Sequence, residues 1–341
     1  MSAVVVFIIF AICLVIAIPI SISLGIVAVL PGAFDASFTA SAGYVIRSMV
    51  GGIDSFPLLA VPMFVLAGIL MAHGKISEKL FDVFVYFLGN KRAGIPCAVI
   101  ITCLFYGAIS GSAPATVAAV GSMTIPLLIE LGYEKDFSTA VVAVAGGLGV
   151  IIPPSIPFIM YAMATGESVS DLFLAGIVPG MMISALLIFY AYYYCRRHGE
   201  DREKIQAKMD QLKTKGFVNI LKESIWALLS PVIVLGCIYS GVASPTEAAV
   251  ISVFYSLFVS LFIYRSIKVK QIWGIMVEAM KTYAPILFIL ATSTAFSRVL
   301  TLMQVPQDVS AWIMTHFSNE IVLLLVINVV LLIVGMVMDT T

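Results

Sequence analysis

Residues 107–126 read Gly-Ala-Ile-Ser-Gly-Ser-Ala-Pro-Ala-Thr-Val-Ala-Ala-Val-Gly-Ser-Met-Thr-Ile-Pro, and this stretch decides the fold. It is apolar enough to lie in a membrane, but its middle is rich in Gly, Ser, Thr and Pro. The basic pair Lys91–Arg92 precedes it and Lys135 follows it. Because basic residues mark the cytoplasmic side of a membrane, both ends of the stretch are predicted there. The sequence therefore predicts a re-entrant hairpin, about 93–131, that turns at Ser110–Pro114.

Composition indicates that the chain lies in lipid. Of its 341 residues, 61% are hydrophobic and 11% are charged, whereas a soluble domain has about 25% charged residues. A surface so poor in charge would aggregate in water, so we expect an all-α polytopic membrane protein. The net charge of zero indicates no nucleic-acid partner, and the five Cys and three His residues lack the spacing of metal ligands.

The basic residues predict the orientation in the membrane. All but three of the nineteen Lys and Arg residues lie in the segments 74–92, 196–222 and 265–281. The positive-inside rule predicts that these segments are cytoplasmic loops of a multi-pass protein in the bacterial inner membrane. Segment 196–222 is interpreted as a connector, either an amphipathic helix on the membrane surface or a solvated linker that carries the orienting charge.

The connector divides the chain into halves with a similar order of features. Residues 1–195 are predicted to form a first repeat, with scaffold helices (1–73), the hairpin (about 93–131) and a broken helix (about 138–165); residues 223–341 form a second repeat. Each half has proline-broken apolar segments and then a proline-led helix: Pro19 and Pro62 in the first, Pro231, Pro245 and Pro285 in the second. Corresponding helices should run in opposite directions, which predicts an inverted repeat. Transporters of this build bind substrate at the bilayer midplane, on discontinuous helices.

The hairpin turn is a candidate ion and substrate site. Non-helical backbone at membrane depth is tolerated only where it is buried in protein or faces a wet cavity. Its freed carbonyls and the hydroxyls of Ser110, Ser112 and Thr116 are oxygen donors suited to a small cation. The N-terminus of the outgoing helix, from Ser112 through Pro114 to Thr116, favours an anionic substrate. The alternative is close helix packing through small residues.

A second interruption is predicted at Gly146-Gly147-Leu-Gly149-Val-Ile-Ile-Pro153-Pro154-Ser155. Two adjacent prolines prevent a continuous helix, and the glycines upstream permit unwinding. An interrupted span opposite the hairpin would supply further carbonyls for the same ion, with Pro154 and Ser155 on the substrate side. A simple helix kink is the alternative.

Three charged residues are further candidates. Glu247 follows Ser244-Pro245-Thr246 and fits a capping box, which competes with an ion-binding role. Arg298 lies near the end of an apolar helix, where it could hold a substrate carboxylate through its guanidinium or extend to the membrane interface. Asp339 is also assigned to the substrate site, because charge within a membrane is functional by default.

With these segments in hand, the chain resembles the large membrane subunit, the DctM-type permease, of a TRAP (tripartite ATP-independent periplasmic) transporter. The matching segments are Phe56–Phe64, Ser110–Pro126, Gly149–Pro154 and Pro245–Ala249. The resemblance implies a sodium-driven symporter with an elevator mechanism, in which a part that carries the hairpins slides against a fixed scaffold. It implies sodium sites at Ser110, Gly111, Ser112, Gly146, Gly149 and Pro153.

The same resemblance implies partners and a substrate class. A small four-helix membrane subunit and a periplasmic substrate-binding protein would assemble with this chain, and the substrate would be an organic acid such as a C4-dicarboxylate or sialic acid. Na⁺ would be the coupling ion, and we expect no other cofactor. Similar proteins continue with a second hairpin where this sequence stops, so the second repeat is expected to be truncated and the 341-residue form unable to transport.

Other functions stay open at this point. A proton-coupled transporter of another inverted-repeat family and a non-transporting assembly subunit would both fit the composition. A membrane-embedded enzyme is disfavoured because the sequence has no His-Glu-x-x-His motif, no Gly-x-Ser-x-Gly motif and no paired intramembrane carboxylates.

Overall fold

The regular structure is helical wherever the computed structural model describes the chain, which is at residues 2–35, 38–214, 216–317 and 319–337. In chain order the first helices are α1 (Ala3–Val15), α2 (Ile20–Phe34), α3 (Ala42–Ile53), α4 (Ala60–His73), α5 (Ile76–Leu88), α6 (Gly94–Ser110), α7 (Ala113–Glu130), α8 (Lys135–Gly146) and α9 (Leu148–Ile151). They are followed by α10 (Ile156–Thr165), α11 (Val169–His198), α12 (Arg202–Thr214), α13 (Phe217–Tyr239), α14 (Pro245–Phe258), α15 (Val269–Leu302), α16 (Val305–His316) and α17 (Glu320–Val337). The all-α prediction is confirmed.

Several of these helices can cross a membrane. Among the described residues, five are long and apolar enough, and up to seven spans result if each of two bent helix pairs counts as one. The five are Ala113–Glu130, Val169–His198, Val218–Tyr239, Pro245–Ile263 and Val269–Leu302. A spanning helix needs about 20 apolar residues, so the chain is a polytopic membrane protein, as the composition predicts.

The chain divides into two compact units, each with its own apolar core. Residues 56–282 form one unit, whose core includes the fully buried side chains of Ile100, Tyr106, Leu128 and Leu148. Residues 1–55 and 283–341 form the other unit, whose core includes Val27, Val45, Ala295 and Val299. These compact units are a different division of the chain from the two repeats inferred from the sequence. The repeat boundaries stay a prediction.

The prolines act as predicted at some positions and not at others. Pro19 separates α1 from α2, and Pro245 begins α14. Pro231 instead lies inside α13, and Pro285 lies inside α15, so the predicted break at Pro231 and the proline-led helix at Pro285 are wrong. A proline removes one backbone donor, and membrane helices accommodate that loss through neighbouring groups and local adjustments.

The basic segments, which the sequence predicts as cytoplasmic loops, contain helices. Helix α5 occupies most of 74–92, and α15 begins within 265–281. That these segments lie outside the membrane on its cytoplasmic side stays a prediction. Helix α12 confirms the amphipathic helix of the connector. Its apolar residues Ile205, Met209 and Leu212 are buried against protein rather than exposed to lipid, which corrects the predicted position on the membrane surface.

Candidate functional site

The helical hairpin is formed by α6 and α7, joined by a two-residue turn. Gly111 ends α6 in the left-handed conformation, with φ of 62°, and its N–H donates to the carbonyl oxygen of Gly107 at 3.0 Å. Ser112 has an extended backbone and begins α7, since its Oγ accepts from the N–H of Ala115 at 3.5 Å. Pro114 lies in the first turn of α7, where a missing N–H is harmless. The predicted turn at Ser110–Pro114 is confirmed, and entry and exit on one side of the membrane stay a prediction.

Three oxygen atoms converge at this turn. The hydroxyls of Ser110 and Thr116 lie 3.0 Å apart, and both residues are buried. The Thr116 hydroxyl donates to the carbonyl oxygen of Ser112 at 2.8 Å, and the Ser110 hydroxyl lies 3.3 Å from the same oxygen. Hydroxyl hydrogens rotate to suit their partners, so these oxygens can turn their lone pairs toward a cation.

The second interruption is also present. Helices α8 and α9 end at Ile151, the segment Ile152–Ser155 is non-helical, and α10 follows with a bend of 40° between the two parts. Ser155 closes the break, because its hydroxyl donates to the carbonyl of Val150 at 2.6 Å and accepts from the N–H of Phe158 at 3.4 Å. The prediction of a broken helix at 138–165 is confirmed, and a simple kink is excluded.

The hairpin turn and the interrupted span meet directly. The N–H of Ile156, the first residue of α10, donates to the carbonyl oxygen of Gly111 at 3.2 Å. A Cβ on Gly149 would lie 2.5 Å from the hydroxyl oxygen of Thr116 and 2.9 Å from the carbonyl oxygen of Ser112. The absence of a side chain at Gly149 therefore lets the broken span approach the three oxygens.

Most of the predicted site residues are brought together here. The contacts join Ser110, Gly111, Ser112, Thr116, Gly149 and Pro154, and Pro153 and Ser155 flank Pro154 in the interruption. Gly146 contributes differently, since a Cβ there would lie 2.1 Å from a methyl carbon of Val117, and so it serves close packing of α8 on α7. Pro114 is exposed.

Two candidates for the substrate site remain, Arg298 and Asp339. Arg298 belongs to the unit of residues 1–55 and 283–341, is exposed, and holds a guanidinium nitrogen 3.9 Å from where a Cβ on Gly51 would lie. Asp339 lies outside the described residues. Their roles in substrate binding stay predictions. Glu247 does form the capping box, since its carboxylate accepts from the N–H and hydroxyl of Ser244, and this explains its position at the start of α14.

Sequence reasoning missed two supports of the hairpin tip. The hydroxyl of Tyr106 donates to the carbonyl oxygen of Gly68 on α4 at 2.9 Å, and a Cβ on Gly68 would lie 3.1 Å from the Cα of Ser110. Gly107 packs in the same way against Gly149. The spacing of Gly107 and Gly111 matches a Gly-x-x-x-Gly packing motif, a signal that identifies the close contact, whereas nothing local in the sequence links Tyr106 to Gly68.

These features define a class of protein: a polytopic helical membrane protein in which a helical hairpin and an interrupted span meet at their non-helical segments. Comparison with known proteins agrees with this class. Residues 7–341 match the family described as "Tripartite ATP-independent periplasmic transporter, DctM component", and the chain belongs to that family.

Characterised relatives give the same result. The chain is 40% identical over 330 residues to an isethionate TRAP transporter permease protein, DctMQ, of Oleidesulfovibrio alaskensis, covering 97% of this chain and 51% of that protein. It is 38% identical to the C4-dicarboxylate TRAP transporter large permease protein DctM of Pseudomonas aeruginosa, covering 84% and 66% of the two chains. The Rhodobacter capsulatus protein of the same description is 32% identical, with 99% and 78% covered. The chain thus spans between half and four fifths of the length of these relatives.

Proposed function

We propose that this chain is the large permease subunit of a sodium-coupled transporter that takes up a small organic acid. The observation that carries the proposal is the oxygen cluster of Ser110, Ser112 and Thr116, which lies against the backbone of Gly149. Close packing of helices alone would not require buried hydroxyls where the hairpin turn meets the interrupted span.

The oxygen cluster has the spacing that a small cation needs. Oxygen atoms bound to a common ion at about 2.3–2.6 Å, the range for Ca²⁺, which is similar in size to Na⁺, lie about 3–3.5 Å apart. Two of the three separations lie in that range: 3.0 Å between the two hydroxyls and 3.3 Å from Ser110 to the Ser112 carbonyl. The third, 2.8 Å from the Thr116 hydroxyl to the Ser112 carbonyl, is a hydrogen bond that would lengthen slightly when the ion binds. All three are uncharged oxygen donors, so the site would gain a full positive charge when sodium binds.

The same region favours an anionic substrate. Helix α7 and helix α10 both begin next to the contact between Gly111 and Ile156. The N-terminus of a helix carries a partial positive charge of roughly half a unit, so two such ends favour a carboxylate or sulfonate. The relatives' names refer to isethionate and C4-dicarboxylates, which are small organic anions. A bound sodium would add further attraction for the substrate.

The energetics of coupling are adequate. Inward movement of one sodium ion down the membrane potential releases about 2.3 kcal/mol per 100 mV. Each negative charge of the substrate costs the same amount on moving inward, so two sodium ions with a monoanion leave a net gain of about 2.3 kcal/mol at 100 mV. With a dianion the charges cancel, and the sodium concentration gradient would supply the driving force.

The proposal includes movement and partners. The hairpin and the interrupted span lie in the same compact unit, which would let them move together in an elevator mechanism against a fixed scaffold. The family description names a tripartite system, which supports a small four-helix membrane subunit and a periplasmic binding protein as partners. The predicted location is the bacterial inner membrane.

The test is uptake of C4-dicarboxylates and isethionate by a permease in which this sequence is joined to a complete second repeat, reconstituted in liposomes with its two partner proteins. We expect uptake to require an inward sodium gradient and Ser110→Ala to raise the half-saturating sodium concentration about tenfold, as expected for loss of about 1.4 kcal/mol of binding free energy. Ser122→Ala is the matched control, since Ser122 is a serine on α7 that lies away from the turn and bonds only locally, to the carbonyl of Ala119.

Three outcomes would contradict the proposal. Uptake that follows pH and ignores sodium would indicate proton coupling. An unchanged sodium dependence in Ser110→Ala would remove the hairpin as the ion site. Uptake that persists without this chain, when the two partners are present, would indicate an assembly role only.

A further inference from the structure

The carboxylate of Glu200 lies at the other end of the hairpin, far from its tip. Its side chain is only 2% exposed, although it belongs to the charged connector between α11 and α12. At 1.5 Å per residue, the 17 residues of α6 separate this base from the turn by about 25 Å. A carboxylate is rarely buried so fully unless it is paired, so its partners define its role.

Residues just before α6 and just after α7 donate hydrogen bonds to the same oxygen atom of Glu200. The Oε1 atom of Glu200 accepts from the N–H of Ala93, immediately before α6, at 3.0 Å. It also accepts from the hydroxyl of Tyr133, three residues after α7, at 2.7 Å. Burial and this hydrogen bond raise the pKa of the Tyr133 phenol, which keeps the hydroxyl protonated as a donor. One carboxylate oxygen thus joins the beginning and the end of the hairpin.

The connector supplies the compensating charge. A guanidinium nitrogen of Arg202 donates to Oε2 of Glu200 at 3.0 Å, and the second one donates to the carbonyl oxygen of Asn90 at 3.3 Å. The backbone adds a close contact, because a Cβ on Gly132 would lie 3.2 Å from the Cβ of Asp201. The connector is therefore bonded to the base of the hairpin on both sides.

We propose that Glu200 is a positioning residue for ion binding: by fixing the separation of the two helix bases, it sets the geometry of the oxygen atoms at the turn. This inference rests on the sodium site proposed above. Side chains of both α6 and α7 belong to one buried apolar core, and through it we expect a change in helix separation at the base to reach the turn. The connector would then move with the hairpin as one body.

The experiment measures the half-saturating sodium concentration for uptake in the reconstituted complex with Glu200→Ala, Glu200→Gln and Tyr133→Phe. We expect Glu200→Ala to raise the half-saturating sodium concentration about tenfold, which corresponds to the free energy of about one charge-assisted hydrogen bond. Glu200→Gln retains an acceptor oxygen and should give a smaller rise. The effects of Glu200→Ala and Tyr133→Phe should be non-additive, because both remove the same hydrogen bond.

Glu203→Ala is the matched control, since Glu203 is an exposed glutamate in the first turn of α12. A merely structural role for Glu200 would lower thermal stability and leave the half-saturating sodium concentration unchanged, and that result would overturn the inference. If Glu200→Ala fails to fold, Tyr133→Phe decides, since it removes a single hydroxyl; an unchanged sodium dependence there would also overturn it. Uptake by the unmodified complex that is independent of sodium would instead contradict the proposed function itself.

Discussion

Gly107 and Gly149 face each other backbone to backbone. A Cβ on Gly107 would lie 2.5 Å from the Cα of Gly149 and 2.9 Å from its nitrogen. A Cβ atom is essentially never found so close to backbone atoms. The absence of side chains at these two glycines therefore allows α6 to lie directly on the interrupted span. The contact determines how close Gly149 comes to the oxygen atoms of the turn.

Alanine at Gly149 should therefore abolish the site rather than merely loosen the packing. Its methyl group would lie 2.5 Å from the Thr116 hydroxyl oxygen and 2.9 Å from the Ser112 carbonyl, so the hairpin must move away from the span. We expect Gly149→Ala to reduce uptake in the reconstituted complex by a factor of roughly 5 to 150, the equivalent of the 1–3 kcal/mol of strain typical of overpacking. Initial rates of substrate uptake would measure this effect.

Gly236→Ala is a suitable control for that experiment. Gly236 lies within α13, and a Cβ there would meet nothing within 4 Å. Alanine should favour the helix by up to about 1 kcal/mol, so its uptake should equal that of the unmodified chain. Equal uptake by Gly149→Ala and Gly236→Ala would show that the close approach is dispensable.

We expect Thr116 to contribute to sodium binding through its hydroxyl oxygen and not through the shape of its side chain. Thr116→Val keeps the volume and removes the donor to the Ser112 carbonyl, whereas Thr116→Ser keeps the hydroxyl. We expect the valine variant to raise the half-saturating sodium concentration about tenfold, the effect of one lost polar interaction. The serine variant should stay within about threefold of the unmodified chain on the same grounds.

Thr139→Val controls for the substitution itself. Thr139 is a half-buried threonine on α8 whose hydroxyl bonds to carbonyls of its own helix, those of Lys135 and Asp136. Its sodium dependence should be unchanged. A valine effect at Thr116 that the serine variant reproduces would point to packing instead of ion binding.

The two interruptions could be predicted because their causes are local. Ser110–Pro114 and Gly149–Pro154 contain several closely spaced residues that disfavour a helix. Pro231 and Pro285 are also helix-disfavouring residues, yet they lie inside α13 and α15. The loss of one hydrogen bond does not outweigh the many others of a long apolar helix. Local sequence therefore identifies where a helix can break but not where it does.

Long-range contacts could not be predicted from the sequence at all. Nothing near Tyr106 or Glu200 indicates that their partners are Gly68, Ala93 and Tyr133. The helices inside the basic segments were not predicted for a related reason. Lys and Arg indicate which side of the membrane a segment occupies, but they are good helix formers, so charge alone could not separate a loop from a helix such as α5.

The capping box at the start of α14 predicts a purely structural effect. The Ser244 hydroxyl accepts from the N–H of Glu247, while the Glu247 carboxylate accepts from the N–H of Ser244. Ser244→Ala should destabilise the protein by about 1 kcal/mol, visible as a lower melting temperature in detergent. Glu247→Gln should be destabilising in the same direction.

Neither variant should change the half-saturating sodium concentration. A rise in that concentration for Glu247→Gln, at unchanged stability, would assign Glu247 to ion binding. Thr246→Ser serves as the control, since its hydroxyl bonds instead to the carbonyl of Phe56 and the substitution preserves that bond.

The connector helix α12 should contribute to stability through its buried side. Met209 is fully buried, and a Cβ on Gly89 would lie 2.3 Å from its sulfur atom, which shows how tightly α12 packs near the end of α5. Met209→Ala should therefore lower the free energy of unfolding by about 2–5 kcal/mol, whereas Lys213→Ala, at an exposed position of the same helix, should be nearly neutral. Thermal unfolding in detergent distinguishes the two. If α12 lay on lipid instead, both substitutions would leave the melting temperature unchanged, and the Met209 variant would differ only in how the segment partitions into lipid vesicles.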